Sequence, residues 1–386
     1  MRRLIALIGL ELYALALAFV QLQNGVRTDE AKYLLNIPYP HPPLARWFLS
    51  LFDGFAWQEV GARILFATLM VQAVWIVWDM GRYLSKTGRL ALAVLWLGSA
   101  AFILQTGTIM MAPLTALQAL LFLWLLSLPK ERLPGTVTIA FLWLVTLFTA
   151  LQGILLVPLV IAVLRLRGTP WKEYIWYVGA PIVLVGLYVL TNPLIPASAL
   201  LLSDAGRTFS HRISEILWTL LVAGSGIGTI IGIVGLILKK HWFILASFVL
   251  VLLYVFMGGH DYYAILFLPF FVTGTKHLLR RVPRLATAMI LVLLACTALV
   301  LTYHQSLFTQ RTPAREVLRH IGPGTVLLKG SLGHEWQYEA LLGQDVLQYT
   351  EAYMSDVDAI VCYEHCEVLE TDWVSTSSMR GVWLPR

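Results

Sequence analysis

The sequence predicts an α-helical polytopic membrane protein of about 11 transmembrane helices, followed by a small α/β domain at the C-terminal end. Three observations predict it. The 386 residues are 58% hydrophobic and only 13% charged, with a mean hydropathy of +0.74. A soluble domain of that size cannot hide so much apolar surface, so the bilayer must be part of its solvent. The basic residues fall between apolar runs instead of clustering on one face, so the formal charge of +6 points to membrane topology and not to a nucleic-acid partner. From about residue 304 the composition changes to short strand-like runs separated by Gly and Pro.

Taken in order, "MRRLIALIGL" has the charge and apolar run of a signal peptide. The run continues to Leu22 without a small-residue cleavage site and reads as an uncleaved first span. Apolar segments are expected at about 4–22, 60–81, 89–105, 112–128, 135–149, 151–166, 174–191, 215–238, 241–257, 262–278 and 285–303. With the N-terminus inside, the inner connections hold Arg82, Lys86 and Arg89, then Lys130 and Arg132, Arg165, Arg167 and Lys172, Lys239 and Lys240, and Lys276, Arg280, Arg281 and Arg284. The outer loops hold only Arg27, Lys32, Arg46, Arg207 and Arg212, with Arg63 at the outer end of the second span. This asymmetry predicts an integral protein of a bacterial-type inner or plasma membrane, with a cytoplasmic N-terminus and an extracytoplasmic C-terminus.

The transmembrane domain is therefore expected over 1–303, with a first outer loop at 23–59, a second at 192–214 and a short "GGHDYY" turn. The outer domain is expected over 304–386, where "TVLLKG" and "DAIVCYEHC" read as strands and "PAREVLRHI" as a helix. Cys362 and Cys366 fit a disulfide if the tail is outside; a metal site with His365 is the other reading, with an incomplete ligand set. Glu11 is a lone carboxylate within the first span. "GSGIGTIIG" (224–232) has glycines at helix-packing spacing and is read as close helix contact, not a nucleotide loop.

The first loop, "RTDEAKYLLNIPYPHPPLARWFL" (27–49), carries the chemistry. Thr28 is expected to cap a short helix with Asp29 and Glu30 in its first turn and Lys32 paired to Asp29. After "PHPP", residues Leu44, Trp47, Phe48, Leu51, Phe52 and Phe55 share one face of a helix lying in the membrane interface. Two readings of the acids stand at this point: helix-dipole stabilisers, or functional carboxylates held at a defined depth.

An N-terminal span, then "DEAKY", then "HPPLARW" and an interfacial helix resembles the GT-C glycosyltransferases of the protein O-mannosyltransferase and aminoarabinose transferase type. "GGHDYYAILFLPFF" (258–271) resembles the His-x-Tyr-Tyr…Leu-Pro segment of the same families. The resemblance covers roughly residues 1–303 and rests on about 30 of them. It implies a sugar donor linked to polyprenyl phosphate, used on the outer membrane face, and it implies Asp29 as the base that takes the acceptor's proton, with Glu30 a second acid or a loop anchor. Candidate donors to the lipid phosphate and substrate are His41, Arg46, Arg207, His211, Arg212 and His260, with Tyr262 and Tyr263 read as either ligands or interfacial belt residues.

Two departures stand out. Pro40 and His41 replace the Glu-Lys pair that precedes the prolines in the aminoarabinose type, and Met111 in "TIMMAPLTAL" falls where an Asp is usual. A second acid would come from Glu30, Asp204 or Asp261, or the enzyme works with one carboxylate, or it is inactive. These residues specify no cofactor, and a divalent metal is allowed. The competing readings are a lipid or solute transporter, and an inactive relative that scaffolds the cell envelope. Against the transporter, no paired helix breaks are expected in the spans. The sugar and the acceptor are not specified by the sequence.

Overall fold

The computed structural model describes residues 2–37, 42–52, 57–192, 208–258, 261–303, 314–315, 318, 324–329, 334–341, 345–348, 359–362, 373–375 and 382–385. Helices dominate. They are α1 (Arg2–Asn24), α2 (Thr28–Leu34), α3 (Leu44–Leu49), α4 (Gln58–Gln72), α5 (Val74–Met80), α6 (Lys86–Gly98), α7 (Ala100–Gln105), α8 (Met111–Leu125), α9 (Thr136–Thr149), α10 (Val157–Arg167) and α11 (Ala180–Thr191). Then come α12 (Phe209–Ala223), α13 (Ile227–Lys239), α14 (Trp242–Gly258), α15 (Leu268–Arg281), α16 (Leu285–Tyr303) and, in the tail, α17 (His334–Leu341). Single 3₁₀ turns precede α10 at Leu151–Leu156 and α15 at Asp261–Phe267.

Several of these helices suit a bilayer. Among the described residues, Arg3–Asn24, Gln58–Met80, Trp171–Thr191 and Leu285–Tyr303 are long and apolar enough to cross a membrane. The protein is a membrane protein on this evidence. The apolar segment expected as one span over 215–238 differs: α12 begins at Phe209, and α12 and α13 meet at 95°. The bend falls where Ser225 (φ 51°) and Gly226 (φ 72°) take left-handed backbone conformations.

That bend meets a second break. Ser99 interrupts the apolar run 89–105 with ψ 150° and caps α7 by accepting from the Phe102 amide. The Ala100 amide donates to Ser225 Oγ at 2.8 Å, while the Thr297 hydroxyl lies 2.7 Å from both Ser225 Oγ and the Gly98 carbonyl. Backbone groups freed inside an apolar bundle need partners, and Ser225 and Thr297 supply them. The expectation of no paired breaks is thus corrected: the polar residues that make the pairing are short and hydroxylic, so hydropathy passes over them.

The "GSGIGTIIG" glycines do pack helices. A Cβ at Gly232 would collide with Phe271, and, three residues beyond the motif, one at Gly235 with the carbonyl of Gly274. Phe248 of α14 packs edge-on against Phe267 and Phe270 in the same region. Glu11 is not alone: it accepts from Thr68 Oγ1 (3.1 Å) and Gln72 Nε2 (2.6 Å), which ties α1 to α4.

In the tail, β1 (Thr325–Lys329), β2 (Asp345–Gln348), β3 (Ala359–Cys362), β4 (Trp373–Ser375) and β5 (Val382–Pro385) form one sheet in the order β2-β1-β3-β5-β4. β1 runs parallel to β2 and β3, and β5 antiparallel to β3 and β4. Val326, Leu327, Ile360 and Val361 are buried at its centre. Cys362 ends β3, whereas Cys366 lies outside the described residues.

Contacts sort the connections into two ends of the bundle. At one end, the first loop packs in one buried cluster with Ile109, Ala150 and, from the tail, Tyr338. At the other, Arg82 donates to the Ser127 carbonyl, Trp124 Nε1 to Asp79, and Arg281 to the Leu238 carbonyl.

Candidate active site at the first loop

α2 is only seven residues long and could not persist alone. Its neighbours hold it. Asp29 and Glu30 do lie in its first turn, but the N-cap is Arg27, not Thr28. Glu30 reaches back to accept from the Arg27 amide at 2.8 Å, which is half of a capping box. Thr28 is therefore free to donate across to the tail, to Glu335 Oε2 at 2.5 Å.

Glu30 is 1% exposed and accepts also from the Ile109 amide (2.8 Å) and from Arg63 Nη1 (2.9 Å). Burial would raise its pKa, but the charge and hydrogen bonds of Arg63, with Arg27, bring it below the ordinary value. Arg63 in turn spends all its N–H groups. It donates to Glu30, to Glu59 Oε1 (2.8 Å), and to the carbonyls of Gly107 (3.1 Å) and Gly25 (2.9 Å). Both glycines have positive φ, 82° at Gly25 and 85° at Gly107, and a Cβ at Gly107 would press on the backbone of Ala18. The two carbonyls are aimed at Arg63 by conformations that suit glycine.

The chain of charges continues into the tail. Arg315 donates to Glu59 Oε2 at 2.5 Å, to both oxygens of Glu339 at 2.9 Å, and to the Leu22 carbonyl at 2.5 Å. Glu339 also accepts from the Val26 amide. Glu30, Arg63, Glu59, Arg315 and Glu339 thus alternate in sign through a site where each is at most 8% exposed. A buried pair of this sort is weak evidence for net stability, yet removing one partner strands a charge at a cost of about 3–5 kcal/mol.

Asp29 faces the other way. Its side chain is 35% exposed and pairs with Lys32 at 2.8 Å, as the i, i+3 spacing predicts. Tyr33 sits beneath it, 3% exposed. Burial first, then the charges of Asp29, Tyr263 and Tyr254, push the Tyr33 hydroxyl's pKa well up, with Arg46 opposing, so that hydroxyl stays protonated. Gln152 donates to the Tyr254 hydroxyl (2.9 Å), and Tyr254 donates to Tyr263 (3.0 Å), with the two rings edge-on at 5.1 Å. His334 of α17 borders the same face; its pKa is lowered by burial and by Lys32, against Glu335 and Asp29.

The expected site residues are distributed as follows. Arg46 is 4% exposed and points inward, to Tyr188 Oη (3.2 Å) and the Asn36 carbonyl (3.3 Å), while Trp47, Phe48 and Leu51 turn outward on α3 and the following 3₁₀ turn. Tyr263, at 8% exposed, is part of the hydroxyl chain and not a belt residue, because α12 and α14 close over the 261–267 turn. His211 pairs with Glu215 at 3.2 Å on an exposed stretch of α12, and Arg212 lies in the first turn of the same helix. His41, Arg207 and His260, and Asp204 with them, lie outside the described residues, as does the side chain of Tyr262. Met111 is buried as the first residue of α8.

Sequence reasoning missed Arg63, Glu59, Arg315 and Glu339 as a unit, Tyr33 and Tyr254 as neighbours of Asp29, and Gln152 and Tyr188 as partners of Tyr254 and Arg46. Arg63 had a usable signal, an arginine one helical turn from Glu59 at the start of an apolar run. The others carried none: Arg315 meets Glu59, 256 residues away, and Gln152 meets Tyr254, 102 residues away, separations that no periodicity encodes, and tyrosines at span ends look like ordinary interface residues.

Chemically, the face around Asp29 combines a half-exposed carboxylate, tyrosine hydroxyls and the buried guanidinium of Arg46. Among the described residues no three His, Cys, Asp or Glu side chains are placed to hold a metal ion. No family model, curated protein or solved structure matches the chain, so the likeness to the GT-C enzymes rests on the quoted motifs.

Proposed function

We propose that the protein is a membrane glycosyltransferase that moves a sugar from a polyprenyl-phosphate carrier to an acceptor hydroxyl at the end of the bundle bearing the first loop. The observation that carries this reading is the division of labour between adjacent acids: Glu30 is consumed by Arg63 and two amides, while Asp29 is held beside it, half-exposed, above Tyr33. A carboxylate so positioned suits a general base for the acceptor hydroxyl. Arg46 and the tyrosine hydroxyls suit the departing phosphate. An apolar cavity of about 230 Å³ lies beneath α3, lined by Leu44, Ala45, Phe48, Phe66 and Leu114, and gives a lipid chain somewhere to lie beside Arg46.

In this reading eleven spans alternate, the N-terminus is cytoplasmic, and the first loop and tail are extracytoplasmic. Single cysteines at Ser50 and Ser377 then label with a membrane-impermeant reagent in intact cells; protection of both overturns the orientation. The activity is tested with purified protein, a polyprenyl-phosphate sugar and candidate acceptors. Release of polyprenyl phosphate that depends on acceptor supports transfer. Asp29→Asn should lower that release by about 10²–10⁴-fold while leaving the protein folded, and near-normal turnover in this variant removes Asp29 from catalysis.

A lipid or solute transporter is the second reading, favoured by the two helix breaks that meet at Ser99 and Ser225. In transporters such breaks present free helix ends to a substrate. Here Ser225 and Thr297 already occupy those ends, which weighs towards a structural joint. Flux of a lipid-linked sugar across proteoliposomes without its cleavage would favour transport.

A further inference from the structure

The end of the bundle away from the first loop holds a cluster that the proposed chemistry does not use. α13 and α15 approach backbone to backbone at Gly232, Gly235 and Gly274. Lys239 lies four residues past Gly235 and so on the same face, and Lys276 lies two residues past Gly274. A two-residue step turns Lys276 off the glycine contact face, yet its ammonium lies within electrostatic reach of Lys239 at the same end of the crossing. Lys276 is half-buried and feels Lys239, Arg280 and Arg82 as like charges, with Asp79 the opposing one. Asp79 is already engaged by Trp124 Nε1 at 2.8 Å and by Arg82 at 3.7 Å. The guanidinium groups of Arg280 and Arg82 both lie over the ring of Tyr83, at 5.1 Å and 5.3 Å. Next to them, His277 Nε2 and His241 Nδ1 are buried without a hydrogen-bond partner among the described residues.

An orientation signal alone does not require this arrangement. Exposed cations at the same end, such as Lys172, Lys240, Arg281 and Arg284, serve that purpose at no cost in burial. Lys239, Lys276 and Arg82 are half-buried, with Arg280 exposed beside them. Half-buried like charges repel each other and lose hydration, so an anion among them would relieve both penalties. The apolar surface beside them, including Ile230, Val234, Ile237 and Trp242, is exposed and suits lipid chains.

We propose that Lys239, Lys276, Arg280 and Arg82 form a binding site for the phosphate of an anionic phospholipid headgroup, between α13, α15 and the turn that follows α5. The bilayer supplies the ligand at the right depth, and the excess of positive charge selects an anionic headgroup over a zwitterionic one.

The test compares phosphatidylglycerol with phosphatidylcholine, read as lipid retention by native mass spectrometry and as the melting temperature in nanodiscs of each lipid. The intact protein should retain phosphatidylglycerol roughly tenfold more tightly than phosphatidylcholine, the scale of one charge-assisted hydrogen bond. The double variant Lys239→Gln/Lys276→Gln should lose that preference, and Lys130→Gln/Lys172→Gln, at the same end but outside the cluster, should keep it. Should the first double variant fold poorly, Arg280→Gln alone is expected to weaken the preference. Equal preference in the intact protein and in the cluster variants overturns the site. So does equal stabilisation by inorganic phosphate in phosphatidylcholine nanodiscs, because the occupant would then be a free anion.

Discussion

The two ends of the bundle handle buried charge in opposite ways. At the first-loop end, Glu30, Arg63, Glu59, Arg315 and Glu339 alternate, and each charge is met by a partner of the other sign within 3 Å. At the far end, Lys239, Lys276, Arg280 and Arg82 gather, and Asp79 opposes Lys276 and pairs with Arg82. The difference teaches what each end is built to do. A matched chain holds geometry: it joins α2, α4 and the tail into one unit, so that Asp29 is carried on a rigid base. An unmatched cluster leaves a vacancy in charge, which suits a ligand that comes and goes with the membrane.

The largest break in this comparison comes from Arg63. Arg63→Ala should destabilise the protein by about 3–5 kcal/mol, because Glu30 and Glu59 are left facing each other in a buried site. Thermal unfolding in detergent measures it. Arg63→Lys keeps the charge but cannot span Glu30, Glu59 and two carbonyls at once, so it should recover only part of the loss. Stability equal to the unaltered protein in Arg63→Ala would mean that the chain of charges does not hold the loop.

Arg315→Ala acts at the junction with the tail and should cost on the order of 3 kcal/mol, seen less in the melting of the helices than in the docking of the tail. Limited proteolysis reads this directly: cleavage after residue 303 should speed up while the helical core stays intact. If both parts unfold together at the same denaturant concentration as before, the tail is not held by Arg315.

Acid is a gentler probe of the same chain. The pKa of Glu30 is lowered in the folded protein from an ordinary value of 4.5. The folded state therefore binds its proton less readily than the unfolded state does. The stability this contributes is complete above about pH 4.5 and is lost as the pH falls through the folded value. Glu30→Gln should flatten the acid limb of a stability profile and lower the plateau above it. His334 adds a second limb with the same sign. Its folded pKa lies below 6.5, so its contribution is present above that pH and fades as acid forces a proton onto it.

How much of this was legible in advance differs between the parts. The helical, membrane-embedded character followed from hydropathy, since it depends only on local composition. The short helix with Asp29, Glu30 and Lys32, and the outward apolar face of α3, followed from spacing. The roles of the two acids did not. Glu30 meets Ile109, 79 residues away, and the chain of charges reaches Glu339, 313 residues from Val26. No periodicity encodes such partners. The broken spans were illegible for a related reason: Ser99, Ser225 and Thr297 barely alter a hydropathy average, yet their hydroxyls decide where helices stop.

The smallest expected effect belongs to Lys32, and it sharpens the contrast between the adjacent acids. Lys32 and Asp29 are 2.8 Å apart, with Asp29 35% exposed. A pair reached by water gains little, because solvent screens the attraction and ordering two side chains costs entropy; such pairs contribute roughly 0.2–1 kcal/mol. Lys32→Met keeps most of the side-chain volume and removes the charge. It should lower stability by less than about 1 kcal/mol, measured by the same thermal unfolding, whereas Arg63→Ala costs several times more although both cations pair with an acid of one helical turn. A large loss in Lys32→Met would mean that Asp29, like Glu30, is part of the load of the fold. A small loss leaves Asp29 structurally dispensable, which is the condition its proposed role as a base requires.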